Sequence, residues 1–406
     1  MSITDHLYYA DSHLTEFDAT VVAAGEAADG RTEIVLDRTA FYPTGGGQPF
    51  DTGTLGGARV VDCVEGAGGG VRHVVEGAAP AVGARVHGRI DWERRLEHIQ
   101  QHTGQHILSQ AFVQLFDAPT RSFRMLERVC EIDVELSDPS DARIERAVDL
   151  ANRIIWEDRA VRVLDVTPEE ASKLPLRKDS AREGSLRVVE IEGFDLSPCG
   201  GTHARRAGEV GVIVARSWER AKGLTRIEFA AGVRALADYR LANRAAREAG
   251  TVFSVAREDV PAHAARLVEE NKQLARRVRA LEGLAAKVEA EELIEAAGDG
   301  DSQGGTKIVA RVVAGRDAES LKLLASSIAS HAGAVALLGA RDGDQARLVF
   351  ARAADAPGDM NALMREACAI VEGRGGGRAE VAQGGGRGVE RLGEAVEAAA
   401  RSLRGR

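Results

Sequence analysis

Four side chains, in two pairs, have the types and spacing to hold one metal ion. His102 and His106 stand at i and i+4 in the segment HTGQH. On a helix both imidazoles share one face and can point at one ion. Further along, the segment SPCGGTH (197–203) sets Cys199 four residues before His203 in a glycine-bearing loop, where the backbone can curl around an ion. Thiolate and imidazole are preferred zinc donors. A zinc peptidase would carry glutamate directly after the first histidine as its general base; position 103 is threonine, which argues against that chemistry. Four protein donors close a tetrahedral site, whereas a catalytic site keeps one position open, and the spacing leaves both readings standing. His98, one turn before His102, reads as a helix-surface residue.

Two glycine-rich segments come next. TAFYPTGGGQPFDTG (39–53) offers backbone amides at Gly45, Gly46 and Gly47, with Gln48 able both to donate and to accept. It is neither a Walker loop nor a dinucleotide fingerprint, because no Gly-Lys-Ser/Thr follows and the glycine spacing is wrong. A β-turn with conformational glycines is the plain alternative. GRGGGRAEVAQGGG (373–386) sets Arg374, Arg378 and Gln383 among glycines, a composition that suits contact with an RNA backbone through amides and guanidinium groups.

These residues need elements to position them. Residues 1–90 read as short strands (20–24, 32–36, 59–64) with a hairpin signal at Asp29-Gly30, and predict a small β-barrel. Residues 91–250 read as an α+β domain. It has a helix over 93–116, a hairpin of 122–125 with 129–136, a helix from Asp141 to about Trp156, a capping box at Thr167–Glu170, and strands near 187–191, 211–215 and 226–229. Residues 233 to about 296 read as helical, and 251–297 as an arm. Within it Leu267, Asn271, Leu274, Val278, Leu281, Ala285 and Val288 form an a/d seam, which predicts either an arm packed on its own domain or a homodimeric coil through 264–288. A flexible linker over 298–306 opens a C-terminal α/β domain, 298–406, carrying the second glycine-rich segment as a loop. The fold class is α+β.

At 406 residues, 44% hydrophobic and 28% charged, the chain is long enough to bury real cores, and no apolar run would span a bilayer. The segment MSITDHLYYADSHL has neither a basic nor an apolar leader region, and the four scattered cysteines do not form a disulfide framework; a reducing cytoplasm is expected. The net charge of −9 is unevenly spread. Residues 1–90 hold 6 basic and 12 acidic side chains, residues 199–247 hold 10 and 4, and residues 371–406 hold 7 and 5. The positive stretches are where a polyanion would lie.

Together, TAFYPTGGGQPFDTG at 39–53, HTGQH at 102–106, CGGTHARRAGEVG at 199–211, TRIEFAAG at 225–232 and GRGGGRAEVAQGGG at 373–386 resemble the AlaX family, free-standing relatives of the alanyl-tRNA synthetase editing domain. The resemblance covers nearly the whole chain, and the C-terminal domain places it with the long form. It implies a hydrolase that deacylates mischarged tRNA(Ala), chiefly seryl- and sometimes glycyl-tRNA, with one zinc ion held by His102, His106, Cys199 and His203. The 91–250 region would then be the editing domain. The resemblance also implies an editing pocket near Thr44, Gly45, Gly46, Gly47 and Gln48, and a C-terminal domain that helps hold tRNA through residues such as Arg374, Arg378 and Gln383. A pocket glutamine of the synthetases is missing: by ungapped counting Ser122 stands there. Thr39, Thr44 and Ser122 are the candidates for meeting a serine hydroxyl. A zinc-bound water is the expected nucleophile, and no side-chain nucleophile is assigned. An aminoacylating enzyme is not expected, because the chain opens on the barrel. The alternatives are a non-enzymatic zinc- and RNA-binding protein and a threonyl-type editing hydrolase, although the latter lacks the GGGQ segment and this C-terminal domain.

Overall fold

The computed structural model describes residues 4–27, 30–177, 186–297 and 305–405. It divides into two compact units, Met1–Val252 and Phe253–Arg406. The fold is mixed α+β and contains a closed six-stranded barrel.

The first ninety residues comprise β1 (Asp5–His6), the one-turn helix α1 (Leu7–Ala10), β2 (Glu16–Glu26), β3 (Thr32–Leu36), β4 (Arg38–Thr39), β5 (Gly53–Leu55), β6 (Ala58–Glu65), β7 (Val71–Glu76) and β8 (Arg85–Ile90). The barrel closes in the order β2-β3-β7-β6-β5-β8. Side-chain alternation builds it: Phe17, Ala19 and Val21 of β2 turn inward while Glu16 and Asp18 face water. They join Ile34, Leu36, Leu55 and Val60 in one core. The β2–β3 hairpin is present; Asp29 of its expected turn lies outside the described residues.

The rest of this unit runs α2 (Trp92–Phe116), β9 (Thr120–Met125), β10 (Cys130–Val134), α3 (Asp141–Trp156), β11 (Val161–Val166), α4 (Pro168–Ala171), β12 (Leu186–Ile191), β13 (Asp195–Pro198), β14 (Ile213–Ala221), β15 (Leu224–Ala231) and α5 (Gly232–Phe253). A sheet ordered β14-β15-β10-β9 packs with α2 and α3, and a smaller sheet β11-β12-β13 carries the cysteine loop at its end. The Thr167 capping box at α4 is complete, with side chain and backbone bonded both ways to Glu170.

The second unit holds α6 (Val260–Ala296), β16 (Lys307–Val313), α7 (Ala318–Ala329), β17 (Ala334–Asp342), β18 (Gln345–Arg352), α8 (Met360–Ile370), β19 (Gly373–Gly377), β20 (Val381–Gly386) and α9 (Leu392–Arg404). Its sheet is ordered β16-β17-β18-β20-β19, with β16 parallel to β17 and every other pairing antiparallel.

Two expectations need correction. The helical stretch 233–296 is broken: Ser254 takes φ = 55° and ends α5, and α6 restarts with proline in its first turn. The segment 373–386 is not a loop but a paired ribbon, β19 and β20, at the edge of the sheet. Glycine is what lets the ribbon lie against α8: a Cβ at Gly384 would sit 2.4 Å from the Cys368 sulfur. Along α6 the buried stripe is Ala286, Ala290 and Ile294, of which Ala290 and Ile294 join the core beneath α7. The a/d seam is a different face, with Leu274, Val278, Leu281 and Val288 all more than half exposed. Most of the expected 298–306 linker falls outside the described residues. Among the described residues, no helix is long and apolar enough to cross a membrane.

Candidate metal centre and its pocket

Helix α2 starts where the Asp91 side chain accepts the Arg94 amide proton. One turn in, Arg95 is fully buried against the equally buried Asp51, 2.5 Å away. The guanidinium also donates to the carbonyls of Ser12 and Ala40, and Asp51 accepts from the Tyr42 amide at 2.7 Å. A buried ion pair needs this full set of partners to offset desolvation. It sets the helix against the segment that carries Gly45–Gln48, where a tight turn closes between Gly45 and Gln48.

His102 and His106 follow on α2, both 2% exposed or less. Cys199 and His203 come from the loop after β13. The Arg187 guanidinium on β12 shapes that loop by donating to the carbonyls of Cys199 (2.6 Å) and Gly201 (3.0 Å). Gly201 is there because nothing larger fits: a Cβ would fall 2.2 Å from Cε1 of His102.

The four candidate ligands converge. Cys199 Sγ lies 3.3 Å from Nε2 of both His102 and His203. All four donor atoms lie within 4.8 Å of one another. Tetrahedral donors around zinc sit roughly 3.3–3.7 Å apart, so the set needs only a small contraction. Each imidazole is also tethered at its other nitrogen. His102 Nδ1 lies 2.8 Å from Gln48 Oε1, His106 Nδ1 3.1 Å from Asp195 Oδ2, and His203 Nδ1 3.3 Å from Thr103 Oγ1. With Nδ1 as donor in each case, all three Nε2 lone pairs face the centre, the arrangement metal-ligating histidines adopt. The four side chains can therefore hold one metal ion.

The anchors are themselves held. Gln48 is fully buried, donates to Thr202 Oγ1 at 2.9 Å and accepts from the Thr202 amide. Asp195 accepts from Arg177 Nε at 2.7 Å and from Ser197 Oγ at 3.0 Å. Burial would raise the Asp195 carboxyl, but the His106 hydrogen bond and the Arg177 charge bring it down to about 2. Burial would likewise raise the Cys199 thiol; the three imidazoles around it outweigh that and hold it well below its ordinary value, as a thiolate ligand requires.

His102, His106 and Cys199 open onto a cavity of about 580 Å³. Its other walls include Thr44–Gly46, Thr120–Phe123, Pro198–Gly201 and the tyrosines at 8, 9 and 42. Of the residues singled out in the sequence, Thr44, Gly45, Gly46 and Ser122 line this cavity, whereas Gly47 and Gln48 are not part of its lining and Gln48 turns toward His102. Ser122 is exposed and spends its hydroxyl on Asp133 Oδ2 at 2.7 Å. Thr39 does not reach the cavity; it is buried with its hydroxyl 2.8 Å from His73 Nε2. His98 is not a surface residue but 1% exposed, with Nδ1 lacking a partner among the described residues. In the second unit Arg374, Arg378 and Gln383 are exposed on the glycine ribbon.

Sequence reasoning missed Asp195, Thr103 and Arg187. A signal existed for the first: it stands four residues before Cys199, and metal-bound histidine commonly leans on a carboxylate.

Three family models match the chain: "tRNA synthetases class II (A)" over residues 4–94, "Threonyl and Alanyl tRNA synthetase second additional domain" over 186–228, and "DHHA1 domain" over 304–405. The alanyl-tRNA editing protein AlaX-L of Pyrococcus horikoshii is 32% identical over 94% of this chain and 94% of its own. The alanine–tRNA ligases of Methanobrevibacter smithii and Archaeoglobus fulgidus are 31% and 33% identical over 98% and 94% of this chain, which spans 45% and 42% of their lengths. Among solved structures, the C-Ala domain of Aquifex aeolicus alanyl-tRNA synthetase matches 24% of this chain and 92% of its own at 26% identity, with a TM-score of 0.24.

Proposed function

The chain belongs to the long-form AlaX family, and we propose that it hydrolyses the ester joining the wrong amino acid to tRNA(Ala), chiefly serine and secondarily glycine. One observation carries the reading: three tethered imidazoles and the Cys199 sulfur converge where three of the four border a cavity large enough for an aminoacyl group and its terminal ribose. Zinc held by His102, His106, Cys199 and His203 would supply Lewis-acid polarisation of the ester carbonyl or of water.

The chain's own residues do the rest. Gln48, Asp195 and Thr103 keep each Nδ1 protonated and each Nε2 free to bind. Arg187 holds the cysteine loop to its curve. Thr44, Gly45 and Gly46 wall the cavity on the barrel side. The Cys199 sulfur is committed to the cluster, so water is the nucleophile and no acyl-enzyme forms. Arg374, Arg378 and Gln383 contact the tRNA backbone, and the bare seam of α6 pairs two copies of the chain in the cytoplasm.

The deciding experiment is release of serine from Ser-tRNA(Ala), run beside Gly- and Ala-tRNA(Ala). Serine is released quickly, glycine more slowly and alanine hardly at all; a preparation with full metal content that leaves Ser-tRNA(Ala) intact sinks the reading.

A further inference from the structure

One buried group in the cavity wall has a free hydrogen-bonding atom. Gln105 lies on α2 between the two histidine ligands, is 6% exposed, and lines the same cavity as they do. Its Nε2 donates to Ser109 Oγ at 2.7 Å, one helical turn on. Ser109 is fully buried, and its Oγ also accepts from Thr120 Oγ1 at 2.7 Å. With the amide nitrogen on Ser109, Oε1 is left for the cavity, and no described residue donates to it. Thr120 Oγ1, also in the wall, has spent its proton on Ser109 and offers only lone pairs. This corner of the pocket therefore offers two acceptor atoms, Gln105 Oε1 and Thr120 Oγ1, to an incoming donor.

We propose that Gln105 is a specificity-determining residue, whose Oε1 accepts a hydrogen bond from the side-chain hydroxyl of a seryl ester seated at the metal centre. The proposal rests on the editing reading above and deepens it. Serine brings the donor that the corner lacks. The methyl of alanine and the hydrogen of glycine bring none, and alanine would leave a buried acceptor dry and unpaired. Ser122, the candidate at the position of the synthetases' glutamine, is turned outward onto Asp133. The acceptor proposed for serine thus lies on α2 and not at Ser122. The corner could equally receive an α-ammonium group, but that group is common to every aminoacyl ester, so the two roles separate experimentally.

The test is Gln105→Met, which keeps the length and removes the acceptor, with Gln105→Leu as a second variant against a packing fault, both checked for metal content. The ratio of kcat/KM for Ser-tRNA(Ala) over Gly-tRNA(Ala) should fall by about tenfold or more, the size expected when a buried partner for a substrate hydroxyl is lost. A ratio unchanged within about twofold, whether both substrates fall together or neither does, overturns the proposal. A second measurement makes it independent of turnover: binding of non-hydrolysable seryl and alanyl amides of 3′-amino-3′-deoxyadenosine. Wild type should prefer the seryl amide and the variants should not. If wild-type protein hydrolyses no ester yet shows this preference and the variants lose it, the editing reading fails while Gln105 keeps its role. No preference in wild type, or the same preference in the variants, overturns the role of Gln105.

Discussion

Gln48 Oε1 lies 2.8 Å from His102 Nδ1, and the two residues reach that contact from the barrel segment and from α2, 54 positions apart. The orientation of an imidazole on the helix is thus decided by a side chain of the barrel part. The same Gln48 is bonded to Thr202 in the cysteine loop. One buried amide links all three segments that make the centre, which explains why it does not face the cavity.

Gln48→Leu should therefore weaken metal binding without unfolding the protein. Loss of such an outer partner typically costs 10–100-fold in affinity. Chelator competition measures it; an unchanged dissociation constant would show that His102 orients itself.

Cys199→Ala should lower zinc content and abolish deacylation together, because it removes the donor that sits 3.3 Å from two of the imidazoles. Metal analysis and the Ser-tRNA(Ala) assay on one preparation decide it. Full zinc content with full activity would remove Cys199 from the centre.

Arg95→Leu should be among the most damaging single changes in the first unit. It strands the Asp51 carboxylate where no water reaches it, and breaking a buried pair in this way costs about 3–5 kcal/mol. Denaturant unfolding reads this out. A loss under about 1 kcal/mol would mean that Asp51 finds another partner.

Two histidines make the stability of the first unit depend on pH. Burial holds His73 down to about 4; burial, helped by Arg94, Arg234 and Arg95, holds His98 down to about 3. Both are neutral when folded, and both titrate near 6.5 when unfolded. The unfolded chain then binds more protons, so their contribution is complete above pH 6.5 and is lost as pH falls from there toward 4 and 3. Unfolding midpoints at pH 7.5, 6.0 and 5.0 should decline in that order, and His98→Gln should flatten the decline. An equal slope in the variant would refute the role of His98.

Salt should reveal the ribbon. If Arg374 and Arg378 each neutralise a tRNA phosphate, replacing both with alanine should reduce the slope of log K against log salt by about 1.4–1.8. Filter binding at several salt concentrations measures it, and an unaltered slope would leave tRNA contact to other residues.

Much of this was legible beforehand, for identifiable reasons. The i,i+4 pairs, the capping box at Thr167 and the extent of α2 are local patterns, set by helix geometry and by a few side chains. The ribbon of 373–386 was not, because glycine has little strand propensity of its own; β18 and α8 make it a strand by pairing and packing. Ser254 hid the break between α5 and α6, since a left-handed serine carries no warning of the kind glycine gives. Thr39 was misplaced and Gln105 overlooked for one reason: which face of a strand or helix meets the cavity is settled by tertiary packing, and both lie inside segments where every residue looked equally eligible.

Gly201 makes its position a marker that can be read without coordinates. Any side chain there would push the His102 ring off the centre. A related chain could keep both histidine pairs and the cysteine, carry alanine or serine two places after that cysteine, and hold no ion at all. A census of ligand motifs would then overcount working sites, and the identity of this one residue is the correction to apply.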